Sequence, residues 1–160
     1  MPLLNYTTTV PAHKTAGEII SLLSRHKAKA LLIENDRLGY PCGIAFEIAT
    51  AYGDRRFQLP VNIQAVEKVL LKQAFKGEIS RTGATPERAR MVAWRINLEW
   101  VKVQMALLES EMVTLEQIFL PYMLVSHNTT MYQLMEAKGF KALAEGNTTK
   151  ALPDGFAGNL

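Results

Sequence analysis

The sequence predicts an α+β fold, in which a three-stranded antiparallel meander is packed by an N-terminal helix and a long central helix, with short C-terminal helices. Three observations predict it: a capping motif before an amphipathic stretch at residues 15–25, three short strand-like segments between residues 29 and 61, and apolar residues at helical spacing across residues 91–113. With 160 residues, 48% of them apolar, the chain fits one domain. We expect that domain over residues 1–145 and a loosely ordered tail over residues 146–160.

The first helix and the meander follow from local patterns. Thr15 and Glu18 form a T-x-x-E capping box, so the first helix is expected to begin at Thr15. The strands are expected in KALLIEN, IAFEIATAY and RFQLPV, separated by turn-forming Asp, Gly and Pro. Alternation puts Phe46 on the apolar face and Glu47 on the opposite face, which is the solvent side if helices cover the sheet only once.

The second helix is predicted over NIQAVEKVLLKQAFK, with Asn62 as its N-cap. Its buried stripe is expected to contain Val66, Leu70 and either Phe75 or a neighbour of Phe75. Three lysines spaced by four residues must share another face of the helix: Lys68, Lys72 and Lys76. The segment GEISRTGATPER that follows has the composition of a mobile connection.

The central helix is predicted to begin with Thr85 as its cap and Pro86 at its first position. Its first apolar row is Met91, Trp94, Leu98, Val101, Met105, Leu108 and Met112, and its second row is Val92, Ile96, Trp100, Val103 and Leu107. A helix that is apolar over so much of its circumference belongs inside, so we interpret both Trp residues as scaffold. The second row indicates packing on several elements at once, or on a second subunit.

Two short helices are expected after the central helix. Thr114 and Gln117 form a capping box, and Pro121 ends the helix that it starts. The last helix is expected in NTTMYQLMEAKGF, with Gly139 as its left-handed cap.

No local motif of an enzyme, a cofactor site or a metal site stands out, so we assign no catalytic residue, cofactor or metal ligand. The lone Cys42 is interpreted as a strand or turn residue, and the pair Arg95 and Glu99 as an ordinary helix pair one turn apart. The three His residues are scattered along the chain. Carboxylates could still converge from separate elements, the candidates being Glu47, Glu99, Glu109 and Glu111.

Positive charge is concentrated in one part of the chain. Seven basic and two acidic residues between positions 68 and 95 give a local charge of +5, against +3 for the whole chain. The basic residues of this stretch are Lys68, Lys72, Lys76, Arg81, Arg88, Arg90 and Arg95, and they could form one phosphate-binding face. A second group, Arg55 and Arg56 beside Tyr52 and Phe57, combines cations with aromatic rings, as single-strand platforms do. The alternative is that these charges form a solvated rim.

Four segments, VPAHKTAGEI, FQLPVN, VAWRINLEWVKVQMALLESEMV and FLPYM, resemble a group of small proteins of unassigned function from bacterial viruses and related mobile elements. The resemblance covers most of residues 10–123. It implies a viral source and a one-domain α+β fold, and it transfers no functional residue. The order of elements over residues 15–76 is also similar to that of the double-stranded RNA-binding domain, although the basic signature of that domain is missing.

These observations predict a non-enzymatic nucleic-acid-binding protein with little sequence selectivity, which forms a homo-oligomer through its central helix. It is expected in the cytoplasm, because neither a signal peptide nor a run of roughly 20 apolar residues is found, and this is the cytoplasm of the host cell if the protein is viral. The main alternative is a protein–protein module, such as a viral inhibitor or adaptor, that uses an exposed surface around Trp100. A third possibility is an enclosed small-molecule pocket lined by Trp94.

Overall fold

The computed structural model describes residues 1–141, and its architecture confirms the predicted α+β fold. The tail predicted at residues 146–160 lies outside the described residues.

The predicted helices and strands follow one another in the predicted order, and the structure adds two 3-10 turns and a β4–β5 hairpin. The first half contains α1 (Ala12–Arg25), β1 (Ala30–Asn35), β2 (Pro41–Thr50), β3 (Gly53–Gln58) and α2 (Ile63–Phe75). The second half contains a 3-10 turn (Arg81–Gly83), α3 (Pro86–Glu109), α4 (Leu115–Phe119), a second 3-10 turn (Leu120–Tyr122), β4 (Leu124–Ser126), β5 (Thr129–Thr130) and α5 (Met131–Ala137).

The main sheet is the antiparallel meander β1-β2-β3. Its register places Leu31 beside Phe46, and Phe46 beside Phe57, on one face. They share this face because directly opposed residues of an antiparallel sheet lie on the same side. The face packs against α1 and α3. The β4–β5 hairpin adjoins β3 through a single bridge between Phe57 and Met123.

The start of α1 differs from the prediction. The helix begins one turn earlier, at Ala12, with Pro11 as its N-cap and no side-chain cap. Thr15 is fully buried and lies inside the helix. The T-x-x-E pattern is therefore not a capping box here, since burial of Ala12 and Ala16 in the core extends the helix toward its N-terminus.

The central helix α3 is the scaffold of the fold. Trp94 is completely buried, and its indole N–H donates to the backbone oxygen of Pro41 at 2.9 Å. Trp100 is half-buried, with its ring edge-on to Phe119 at 5.7 Å and to Tyr122 at 5.4 Å between centroids. From the first apolar row, Trp94, Leu98, Val101 and Met105 are buried in the main core, whereas Met112 lies beyond the end of α3 and is exposed. From the second row, Val92 and Ile96 pack in the small core with Leu70, Trp100 packs against the main core, and Val103 is exposed.

Most of the predicted caps are present. Asn62 caps α2, Thr85 caps α3 ahead of Pro86, and Thr114 forms a capping box with Gln117. Gly139 follows α5 with a left-handed φ of 63°.

The connection between α2 and α3 contains a hydrogen-bonded turn. Ser80 caps the 3-10 turn at Arg81–Gly83, and Ile79 is buried in a small core with Leu70, Ala89 and Val92. This core fastens α2 against the N-terminal half of α3. The outward face of α2 is thereby fixed relative to the rest of the molecule.

Candidate nucleic-acid interface

Helix α2 presents its three lysines to solvent on the face opposite its buried stripe. Leu70 is fully buried against α3, while Lys68, Lys72 and Lys76 are exposed. None of the three forms a salt bridge with another residue in the range 1–141. Their ammonium groups are therefore available to an anion.

Phe75 is exposed, so the buried stripe continues through its neighbour Ala74, one of the alternatives that the sequence left open. The side chain is 93% exposed, whereas Ala74 takes the inward position beside Leu70. At 3.6 residues per turn, Phe75 points about 140° away from Leu70, and so toward the lysine face. Leu71, one turn earlier, is 51% exposed and adds apolar surface next to the ring.

The first 3-10 turn brings Arg81 to the same surface. A shallow depression of ≈ 280 Å³ is lined by Leu71, Ala74, Phe75, Arg81 and Ala84. Arg81 is exposed and makes no salt bridge within the described part of the chain. We call this surface the α2 patch and define it by Lys68, Leu71, Lys72, Phe75, Lys76 and Arg81.

Two carboxylates are close to the α2 patch in sequence. Glu67 is half-buried beside Lys68, and Glu78 is exposed, with its carboxylate 3.5 Å from the amino group of Met1. The α2 patch carries four cations, so it stays positive in the presence of both.

Arg88 and Arg90, also predicted to bind phosphate, are engaged within the protein. The guanidinium of Arg88 donates to the backbone oxygen of Thr8 and so fastens the segment before α1. Arg90 lies over the ring of Tyr40 at 3.8 Å and 3.8 Å from the carboxylate of Asp36, with only 14% of its side chain exposed. It therefore fastens the β1–β2 turn to α3. The structure does not bring these two arginines together with the lysines of α2.

Arg95 pairs with a residue distant in sequence. Its guanidinium donates to the carboxylate of Glu18 on α1 at 3.0 Å, so the predicted pair with Glu99 is wrong. Each of the three arginines of α3 thus holds a different segment against the central helix.

The second predicted group lies on β3 and the turn before it, in a region of mixed charge. Tyr52 is 76% exposed, and the guanidinium of Arg56 donates to Glu47 across the outer face of the sheet at 2.8 Å. Arg55 and Arg56 line a depression of ≈ 320 Å³ together with Glu47 and Asp54. Asp54 pairs with Lys29 at 2.7 Å and Glu47 pairs with Arg56, so Arg55 is the one cation of this group without a salt bridge among the described residues. Phe57, which the sequence placed beside these arginines, is buried in the core and cannot stack with a base. The surface is therefore less suited to an anion than the α2 patch, which has four such cations.

Cys42 has the environment of an unreactive thiol. Burial raises its pKa, and the negative charges of Glu34 and Asp36 raise it further. The thiol is therefore protonated near neutral pH, which is the opposite of what a nucleophile needs.

Two kinds of site or segment are not found in the part of the chain that the structure describes. Among residues 1–141, no group of three or more His, Cys, Asp or Glu side chains could hold a metal ion. Nor does any helix in this range have the length and apolar character needed to cross a membrane.

Comparisons with protein families, with curated proteins and with solved structures each found no match to this chain. Its function is therefore inferred from its own residues. Among the surfaces described above, the α2 patch is distinguished by unpaired cations around an exposed aromatic ring.

Proposed function

We propose that the protein is a non-enzymatic nucleic-acid-binding protein that holds its ligand through the α2 patch. The observation that carries the proposal is Phe75, whose ring is 93% exposed on a helix face that also carries Lys68 and Lys72. An exposed ring beside exposed cations gives a base a surface on which to stack while the cations contact the backbone. On this surface the neighbours of the ring are cations as well as apolar side chains.

The two kinds of group in the α2 patch have complementary roles in binding a single strand. Lysine and arginine side chains neutralise backbone phosphates and release counterions, which supplies affinity without sequence information. A base stacked on the exposed ring of Phe75 adds about 1–3 kcal/mol, and any of the four bases can stack. Binding is therefore expected to favour single strands and to be weakly selective for sequence.

The environment of the tryptophans favours this proposal over the protein–protein alternative. That alternative uses an exposed aromatic surface around Trp100, but Trp100 is half-buried by Phe119 and Tyr122. Val103, from the same row, is 57% exposed and carries no aromatic ring. We propose that this remaining apolar strip of α3 supports self-association, as expected from the second apolar row.

One observation still favours a protein partner as the second candidate. Leu71 and Phe75 are one turn apart and both exposed, an arrangement also found on helices that dock into the groove of another protein. The two functions differ in what they require of Phe75: stacking needs an aromatic ring, whereas docking into a groove needs only apolar volume.

The proposal includes the cellular location and the source that are expected from the sequence. We place the binding in the cytoplasm of a cell that carries a bacterial virus or a related mobile element. This source is suggested by the resemblance of residues 10–123 to small viral proteins.

The test is fluorescence anisotropy with labelled single-stranded and double-stranded oligonucleotides at low salt. Phe75→Ala is expected to weaken single-strand binding about 5- to 150-fold, which corresponds to the loss of one stacked base. Phe75→Leu serves as the matched control, since it keeps apolar volume without the ring, and it is expected to weaken binding nearly as much. Equal affinity of the wild type and Phe75→Ala would contradict the role of the α2 patch, and wild-type affinity of Phe75→Leu would contradict base stacking on the ring.

A further inference from the structure

A second cationic surface lies between α1 and α3, on the side of α3 where α1 packs. A groove of ≈ 530 Å³ runs along the two helices and is lined by Lys14, Gly17, Glu18, Ser21, Leu22, Arg25, Leu98 and Lys102. It shares no residue with the α2 patch. None of its cations belonged to the phosphate-binding face predicted from the sequence.

The charge of this groove is positive because its one carboxylate already has a partner. Glu18 accepts the guanidinium of Arg95 at 3.0 Å, so these two charges offset each other. Lys14, Arg25 and Lys102 form no salt bridge with any residue the structure describes.

Two further carboxylates on α3 lie close to the groove without lining it. Glu99, one turn before Lys102, is exposed and does not line it. Glu109 lies near the C-terminal end of α1, where its carboxylate is 2.8 Å from the Nε2 of His26. Three cations without carboxylate partners thus remain along the groove.

The shape of the groove suits an extended chain of anions. Lys14 and Arg25 are 11 residues apart on one helix, which is about 16 Å at a rise of 1.5 Å per residue. This length is enough for a few successive phosphates of an extended single strand, whose spacing exceeds the rise of roughly 3.4 Å per nucleotide in a duplex. Leu22 and Leu98 supply an apolar floor, and the hydroxyl of Ser21 offers a hydrogen bond to a phosphate oxygen.

Gly17 lies where the groove has open space. A side-chain carbon added at this position would meet nothing within 4 Å, so the space above the helix is free. A glycine inside a helix is unfavourable relative to alanine, and at this position the absence of a side chain leaves room for a ligand.

We propose that the α1–α3 groove is a second binding site for the phosphate backbone of the same nucleic acid, held by Lys14, Arg25 and Lys102. This inference rests on the proposed function, because it extends the contact of one ligand from the α2 patch to the other side of α3.

Two variants test the groove in different ways. Lys14→Gln, Arg25→Gln and Lys102→Gln combined remove three phosphate contacts. The slope of log K against log salt for a single strand is then expected to become shallower by about 2, at roughly 0.7 per contact. Gly17→Leu leaves every charge in place and fills the groove, while the helix gains a residue of higher propensity, so the fold is not weakened. It is expected to lower affinity at least 5-fold, whereas Gly17→Ala, which leaves the groove open, is expected to bind like the wild type.

The results separate this inference from the proposed function. If Phe75→Ala weakens binding while the groove variants keep the wild-type affinity and salt slope, the groove is not a binding site and the α2 patch still stands. If the wild-type protein binds no oligonucleotide at low salt, both proposals fail. Weaker binding by Gly17→Leu and by the triple variant, with Gly17→Ala unchanged, supports the groove.

Discussion

Arg95 on α3 donates to the carboxylate of Glu18 on α1 at 3.0 Å, although Glu99 lies only one helical turn away from Arg95. The two residues are 77 positions apart in sequence, and their pair joins α1 to α3. Its groups are partly shielded, with 21% of the Arg95 side chain and 39% of the Glu18 side chain exposed. The contact therefore belongs to the packing of α1 on the central helix.

The first prediction concerns the stability conferred by this ion pair. In a double-mutant cycle with Arg95→Ala and Glu18→Ala, we expect a coupling energy of about 0.5–1 kcal/mol, as for a partly exposed ion pair. Urea unfolding followed by circular dichroism measures it. The same cycle with Glu99→Ala in place of Glu18→Ala serves as the control, and a larger coupling to Glu99 would contradict the observed pairing.

The second prediction concerns the two tryptophans. Trp94→Ala should lower the free energy of unfolding by about 3–5 kcal/mol, because it removes a fully buried ring and leaves the Pro41 carbonyl without its donor. Trp100→Ala should cost less, since that ring is half-buried. Chemical denaturation of both variants provides the comparison, and a greater loss for Trp100→Ala would show that the roles of the two rings are reversed.

The third prediction concerns the thiol of Cys42. Since its pKa is raised by burial and by the charges of Glu34 and Asp36, a smaller fraction is thiolate at any given pH near neutrality. Alkylation by iodoacetamide should thus be slower than that of an unperturbed cysteine, and its rate should rise only at higher pH. Glu34→Gln removes one of the negative charges and is expected to speed the reaction. A rate that already reaches its plateau near neutral pH would contradict the raised pKa.

Features set by neighbouring residues in sequence could be predicted, while those set by distant residues could not. Thr85 with Pro86 and the lysine stripe of α2 depend on helix geometry alone, and both appear as predicted. The T-x-x-E pattern at Thr15 is also compatible with a position inside the helix, where Thr15 and Glu18 both lie along α3. The local sequence does not reveal that α3 lies there. The pairing of Arg95 with Glu18 could not be predicted for the same reason, since no local pattern indicates that α1 lies beside Arg95.

In the candidate site, too, features set by the local sequence could be predicted and those set by distant residues could not. Helical periodicity predicted exposed lysines on α2, but the buried stripe could continue through either Ala74 or Phe75, and the small core with Val92 favours Ala74. Arg88 and Arg90 were predicted to bind phosphate because charge is visible in a sequence, whereas the Thr8 carbonyl and the Tyr40 ring that hold them are not. The groove between α1 and α3 requires knowledge of which helices are neighbours.

The salt dependence of single-strand binding tests the central claim most directly. The wild-type protein is compared with the combined variant Lys68→Gln, Lys72→Gln and Lys76→Gln. The control variant neutralises three exposed cations on other segments, Arg37→Gln, Lys138→Gln and Lys141→Gln. We predict that the slope of log K against log salt becomes shallower by about 2 for the α2 variant and stays near the wild-type value for the control. Equal slopes for all three proteins, or no detectable binding by the wild type at low salt, would contradict nucleic-acid binding through α2.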